Sequence, residues 1–120
     1  MSSIKIPQNE WGEFLRSFTA QHRGWRARIQ THDVQTNETV LSGESPLQSV
    51  EFDLEDEKAP RINVVVEMGN KVIKHILYMP SQVIFTFGGG DEALHVESIH
   101  TSTTIHVRAA AAPRSADDAA

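Results

Sequence analysis

The sequence has no cysteine, a single tyrosine among its 120 residues and no long apolar run. The lack of cysteine excludes disulfides, thiolate nucleophiles and cysteine-ligated zinc or iron–sulfur sites. No segment approaches the roughly 20 apolar residues of a membrane-spanning helix, and the first residues lack the apolar core of a secretion signal. We therefore expect a soluble, cytoplasmic protein with no membrane partner. Its length predicts one domain over residues 1–109, followed by a disordered tail rich in Ala, Pro and Asp over residues 110–120.

Basic residues are few and unevenly distributed: 11 Lys and Arg stand against 16 Asp and Glu, for a formal net charge of −5. Residues 31–57 carry eight acidic residues and no Lys or Arg. This balance argues against general binding of nucleic acids, because phosphate contacts supply most of the non-specific affinity. A basic group near the front of the chain remains a candidate patch for an anion or an acidic partner. It consists of His22, Arg23, Arg26 and Arg28.

The front of the chain carries one apolar stripe at helical spacing. Pro7 suits the first turn of a helix, and Gly24 suits the position just after a helix end. The spacing predicts an amphipathic helix from about Gln8 to His22. Its stripe is Trp11, Phe14, Leu15, Phe18 and His22.

Alternating apolar and polar residues predict strands in the rest of the chain. The clearest are Trp25–Val34, Val50–Glu55 with an acidic outer face, and Gln82–Phe87. A short strand around residues 39–41 and a flexible, glycine-rich hairpin connection at residues 88–92 complete the pattern.

The dipeptide Gly69-Asn70 predicts a two-residue hairpin turn. In that register Val64 pairs with His75 and Ile62 with Leu77. His75 then lies on an apolar face, where a hydrogen-bonded core or boundary role is more common than a ligand role.

The last hairpin offers the sharpest chemical hypothesis. With His100-Thr101 as its turn, His95 lies directly opposite His106, and Glu97 lies two residues along the same face. Cross-strand neighbours are about 4.5–5.5 Å apart at Cβ, so the two imidazoles and the carboxylate could share one metal ion. The hypothesis depends on the register of this hairpin.

These elements predict an α+β fold: an N-terminal amphipathic helix packed on a curled antiparallel β-sheet of about six to eight strands, forming a half-open barrel. A β-sandwich with an external helix is the alternative. The predicted core consists of Phe14, Leu15, Phe18, Ile29, Phe52, Leu54, Val64, Val66, Ile73, Leu77, Phe85, Val96 and Ile105.

No nucleophile elbow, metalloprotease helix or phosphate-binding loop occurs in the sequence, so no catalytic residue and no cofactor is predicted. The leading hypothesis is a non-enzymatic binding or protein-interaction module, acting alone or as a homodimer. The second is a small-ligand carrier with a cavity between helix and sheet, lined by Trp11, Trp25, His75 and Phe85. The third is a metal-dependent enzyme that uses His95, His106 and Glu97.

Several motifs resemble a small uncharacterised bacterial family, domain of unknown function 5335. At the front they are Ile6-Pro7, Glu10-Trp11, Glu13-Phe14-Leu15, Ser17-Phe18, Gln21-His22 and Gly24-Trp25. Further along they are His75 with Pro80, Asp91-Glu92-Ala93-Leu94, Val96-Glu97-Ser98 and Thr103-Thr104. The resemblance spans about residues 4–109. It implies the same helix-and-sheet fold and a bacterial cytoplasmic setting, and it implies no particular activity, substrate or cofactor.

Overall fold

A computed structural model describes residues 2–88 and 90–109, and the predicted tail at 110–120 lies outside this range. A 3₁₀ turn over Gln8–Glu10 leads directly into the helix α1, Trp11–His22. Across the described residues there are nine strands. They are β1 (Ser2–Ile6), β2 (Arg26–Asp33), β3 (Glu38–Leu41), β4 (Ser45–Asp53), β5 (Arg61–Met68), β6 (Lys71–Tyr78), β7 (Gln82–Phe87), β8 (Asp91–Glu97) and β9 (Thr101–Arg108).

The strands form one antiparallel sheet in the order β1-β7-β8-β9-β2-β4-β5-β6, and β3 pairs only with β2. Among the described residues β1 and β6 do not pair with each other, so the sheet is open and curled. The α+β fold predicted from the sequence is confirmed, with nine strands in place of six to eight. The sandwich alternative is not observed.

The two halves of the sheet are joined weakly between β2 and β4. Only two pairs link these strands, Arg26 with Pro46 and Ala27 with Ser45. The helix α1 packs against β4 and also contacts the other half, since Phe18 lies edge-on to Phe85 of β7 with 5.8 Å between ring centroids. The helix therefore bridges the two halves where strand pairing stops.

The apolar stripe of α1 is buried as predicted, with Trp11, Leu15 and Phe18 each at most 2% exposed. Most of the predicted core is confirmed, but Leu54 is 51% exposed and Ile73 is 37% exposed. Leu54 lies beyond the end of β4, where alternation no longer fixes a face. Ile73 belongs to β6, the last strand of the sheet, so no further strand covers it.

The two predicted hairpin registers have opposite outcomes. The β5–β6 register is confirmed, with Val64 opposite His75. The β8–β9 register is wrong by two residues, since His95 pairs with Thr104 and His106 pairs with Ala93. A shift of two keeps every side chain on its face, so apolar alternation cannot distinguish the two registers.

The strand β1 was not predicted. It pairs with β7 from Ser2 opposite Phe87 to Ile6 opposite Val83. Within β1 Ile6 alone is buried, and the indole Nε1 of Trp11 donates to its carbonyl oxygen at 3.0 Å. A five-residue strand with one buried side chain leaves little periodic signal in the sequence.

Candidate functional site

His22 does not belong to an exposed basic patch, because it is only 2% exposed. Its Nδ1 donates to the Phe18 carbonyl oxygen at 2.7 Å, and its Nε2 lies 2.5 Å from Glu92 Oε1. The ring stacks on Phe18 and meets Trp25 edge-on. The sequence-based placement of His22 is therefore corrected: this residue ties the end of α1 to β8.

The remaining members of the predicted patch separate. Arg23 Nε donates to the Gln48 carbonyl oxygen at 3.3 Å, beside β4. Arg26 and Arg28 instead lie next to Arg108 of β9, which the sequence analysis did not include. We call Arg26, Arg28 and Arg108 the arginine cluster.

The four residues of the predicted carrier cavity do not line one space. Trp11 is buried and lies edge-on to Phe52, and Phe85 packs on the aromatic side chains of α1. His75 lines a separate small apolar groove of about 100 Å³ between the β5–β6 hairpin and the segment before β4. Burial there lowers the pKa of His75 below its ordinary 6.5. A cavity between helix and sheet does exist, but other residues form it.

Of the three predicted metal ligands, His95 and Glu97 are in contact with each other. Glu97 contacts His95 through the imidazole Nε2, whereas His106 lies opposite Ala93 on one side and Arg28 on the other. Across residues 2–88 and 90–109 no group of three or more His, Asp or Glu side chains has the arrangement to hold a metal ion. The proposed opposition of His95 and His106 is wrong because the hairpin register differs from the predicted one.

Two hydroxyl residues join His95 and Glu97 on this face. Ser102 Oγ donates to Glu97 Oε2 at 2.6 Å, and His95 Nδ1 lies 3.0 Å from Thr104 Oγ1. In a Ser-His-acid triad the imidazole lies between the serine and the carboxylate: one ring nitrogen bonds the serine hydroxyl, and the other bonds the carboxylate. Here one nitrogen, His95 Nε2, faces both partners: it contacts the Glu97 carboxylate and lies 3.3 Å from Ser102 Oγ, which donates to that same carboxylate. The group is therefore arranged to hold β8 and β9 together rather than to activate Ser102.

A groove that the sequence did not reveal runs between α1 and β4, with a volume of about 740 Å³. We call it the helix groove. Its volume lies within the range of small-molecule sites, roughly 300–1,000 Å³. Apart from its chain neighbours and the backbone of its own helix, a Cβ atom added at Gly12 would meet no atom within 4 Å, so this glycine leaves the side of the helix open. The lining residues are Gly12, Arg16, Thr19, Ala20, Arg23, Val50, Glu51, Phe52, Asp53, Leu54 and Asn63.

Asn63 is the most unusual residue of the helix groove, because it is only 6% exposed and one of its two amide heavy atoms has no hydrogen-bond partner among the described residues. Its Nδ2 donates to Asp53 Oδ2 at 3.3 Å, while Oδ1 has no donor within reach among the described residues. Asp53 also accepts from Arg61 and from the Glu55 backbone N–H. The Glu55 hydrogen bond is the largest cause that lowers the pKa of Asp53, so its carboxylate accepts and the Asn63 amide nitrogen must face it. The carbonyl oxygen of Asn63 is consequently left for another donor.

Charged side chains of opposite sign line the helix groove. Arg16 belongs to α1, Arg23 directly follows α1, and Glu51 belongs to β4. In the described part of the chain none of these three takes part in a salt bridge. The lining of the groove therefore combines cationic and anionic side chains.

Comparison of the chain with protein-family models, with curated proteins and with solved structures found no match. The resemblance to domain of unknown function 5335 therefore stays a prediction. No helix within the described residues is long and apolar enough to cross a membrane.

Proposed function

We propose that this protein is a non-enzymatic binding module whose helix groove holds a small zwitterionic molecule, such as an amino acid or a short peptide. The observation that carries the proposal is the charge of the groove lining: Arg16, Arg23 and Glu51 all line it, and none of the three takes part in a salt bridge within the described residues. Asn63 adds a carbonyl oxygen without a donor, but this oxygen is buried, so a ligand N–H group would reach it only after the side chain turns toward the groove. The proposal combines the binding-module and ligand-carrier hypotheses. Its groove is lined by residues other than the four predicted to line the carrier cavity.

The charges of the groove indicate the ligand class. A ligand carboxylate would pair with Arg16 or Arg23, whose guanidinium groups suit planar oxyanions. A ligand ammonium would pair with Glu51. A molecule with both groups complements the groove better than an anion or a cation alone.

The chemistry of the lining residues supports binding rather than catalysis. Thr19 is the lining residue with a hydroxyl group, and that group both donates to and accepts from the Val50 backbone at 2.9 Å. It is therefore committed to holding α1 on β4. The groove presents no histidine or cysteine among its lining residues.

The test uses two substitutions at Gly12. Because a Cβ there meets open space, Gly12→Leu extends into the groove without displacing the core, and Gly12→Ala adds a single methyl group. Both remove a helical glycine and are expected to stabilise the fold by up to about 1 kcal/mol. The full chain, labelled with ¹⁵N, is titrated with pooled amino acids and dipeptides, and with acetylated and amidated counterparts as uncharged controls.

We expect saturable shifts at Gly12, Glu51 and Asn63 with the zwitterionic pool alone. They should persist in Gly12→Ala and vanish in Gly12→Leu. The proposal fails if nothing saturates by about 10 mM, a concentration that corresponds to very weak binding. Equal shifts from the uncharged counterparts, or full binding by folded Gly12→Leu, would also contradict it.

A further inference from the structure

Strand register places two arginines directly opposite each other at one end of the sheet. Arg26 of β2 pairs with Arg108 of β9, and Arg28 pairs with His106. Like charges in such cross-strand positions destabilise a sheet unless an anion lies between them. This end of the molecule therefore requires negative charge from elsewhere.

Glu44 supplies part of that charge from the segment just before β4. Its carboxylate lies 2.9 Å from Arg108 Nη2, 3.5 Å from Arg28 Nη2 and 4.0 Å from Arg26 Nη1. Asp91, opposite Arg108 on β8, also lines this region. Among the described residues, two carboxylates against three guanidinium groups leave a positive excess here, in a chain whose formal net charge is −5.

The arginine cluster lines a groove of about 260 Å³, separate from the helix groove. The side chains of Arg26, Arg28 and Arg108 are about half exposed, so donors on each remain accessible. A guanidinium has five N–H donors, far more than one carboxylate can accept. The remaining lining residues are Gln30, Leu41, Glu44, Asp91, His106 and Val107.

We propose that this groove is a second binding site, which takes the phosphate group of a small molecule. The planar forks of arginine match phosphate oxygens in pairs, and three of them converge on the Glu44 carboxylate. That carboxylate marks the point where an oxyanion is held and acts as an internal competitor for it. The compact cluster beside Asp91 suits one phosphate group rather than a nucleic-acid backbone, whose binding needs a row of phosphate contacts.

The site is tested by titrating the full-length ¹⁵N-labelled protein with inorganic phosphate and with glycerol phosphate. Sodium chloride at matched ionic strength is the control for general screening. We expect saturable shifts at Arg28, Gln30 and Arg108, including the arginine side-chain N–H signals. Arg28→Gln and Arg108→Gln should each weaken phosphate binding about tenfold, the usual effect of losing a hydrogen bond to a charged group. Glu44→Gln should strengthen binding, because it removes the competing carboxylate.

The matched control is Arg16→Gln, which makes the same charge change in the helix groove and should leave phosphate binding unaltered. Thermal unfolding of each variant establishes that it is folded, and Arg28→Gln and Arg108→Gln serve as independent tests. The proposal is overturned if phosphate and chloride give the same shifts. It is also overturned if folded Arg28→Gln and Arg108→Gln bind like the original protein, or if Glu44→Gln gains no affinity. This site does not depend on the proposed function, since Gly12→Leu should not change phosphate binding.

Discussion

At the scale of single residues, Glu97 shows how the hydrogen bonds of one side chain set its protonation. Ser102 donates to its carboxylate, and His95 contacts the same oxygen. The Ser102 hydrogen bond is the largest cause that holds the pKa of Glu97 below its ordinary 4.5, and burial opposes it. A carboxyl group with a lowered folded pKa adds stability above its unfolded pKa, and that stability is lost as the pH falls through the folded value.

Ser102→Ala should therefore raise the pKa of Glu97 toward 4.5 and reduce the stability lost on acidification from pH 6 to pH 3. A carboxyl-detected NMR titration measures the pKa, and urea unfolding at both pH values measures the stability. Ser3→Ala is the control, because its hydroxyl contacts Thr86 on the β1–β7 pair. An unchanged Glu97 titration in Ser102→Ala would show that the hydroxyl does not stabilise the carboxylate.

At the scale of secondary-structure elements, α1 takes the place of a strand beside β4. The β2–β4 pairing ends after two residue pairs, and further along β4 the Thr19 hydroxyl serves the backbone of Val50. This one hydroxyl accepts from the Val50 N–H and donates to its C=O, both at 2.9 Å. The Thr19 side chain thus makes the backbone hydrogen bonds at Val50 that a neighbouring strand would otherwise make.

Thr19→Val keeps the shape of the side chain but leaves the two Val50 backbone groups without this partner. We expect a loss of about 2 kcal/mol in the free energy of unfolding, from two hydrogen bonds. Thr19→Ser retains the hydroxyl and should lose much less. Urea denaturation of both variants makes the comparison. If Thr19→Val lay within about 0.5 kcal/mol of the original protein, the contact would not be what docks the helix.

The elements differ in how far the sequence predicts them, for identifiable reasons. The β5–β6 hairpin was predicted to the residue because Gly69, with φ of +64°, fixes a two-residue turn. The β8–β9 hairpin has no such turn, and either register buries the same apolar side chains. His22 fits the apolar stripe, but its partner Glu92 lies 70 residues away and leaves no local pattern.

The helix groove was beyond prediction because its two sides meet only in the folded chain. One signal did exist: Asn63 interrupts the apolar run from Ile62 to Val66. Buried strands normally carry apolar residues at such positions. A single amide there therefore indicates a hydrogen-bond partner or a function. The sequence could have indicated this residue, but not that Gly12 of α1 lines the same groove.

At the scale of the whole molecule, the open sheet leaves β6 at one end of the described strand order. This strand exposes Val72 at 59% and Ile73 at 37%, and Lys71 and Lys74 accompany them. Charged side chains on such an edge discourage pairing with another copy of the chain. The homodimer expected from the sequence stays a prediction, and sedimentation of the unsubstituted protein decides it.

The double variant Lys71→Val and Lys74→Val should self-associate more strongly than the original protein, because it makes the β6 edge apolar and uncharged. Sedimentation velocity over a range of concentrations measures this. Lys58→Val, in the segment between β4 and β5, is the control for loss of a lysine. A double variant that sediments like the control would mean that the two lysines do not protect the edge.

The pairing of β1 with β7 brings together residues that are far apart in the sequence, since Ser2 lies opposite Phe87. Such distant contacts form slowly, because the intervening chain must first become compact. Contacts made after the rate-limiting step do not accelerate folding, but they must break before the protein opens. We therefore expect that loss of the β1–β7 pairing would speed unfolding more than it would slow folding.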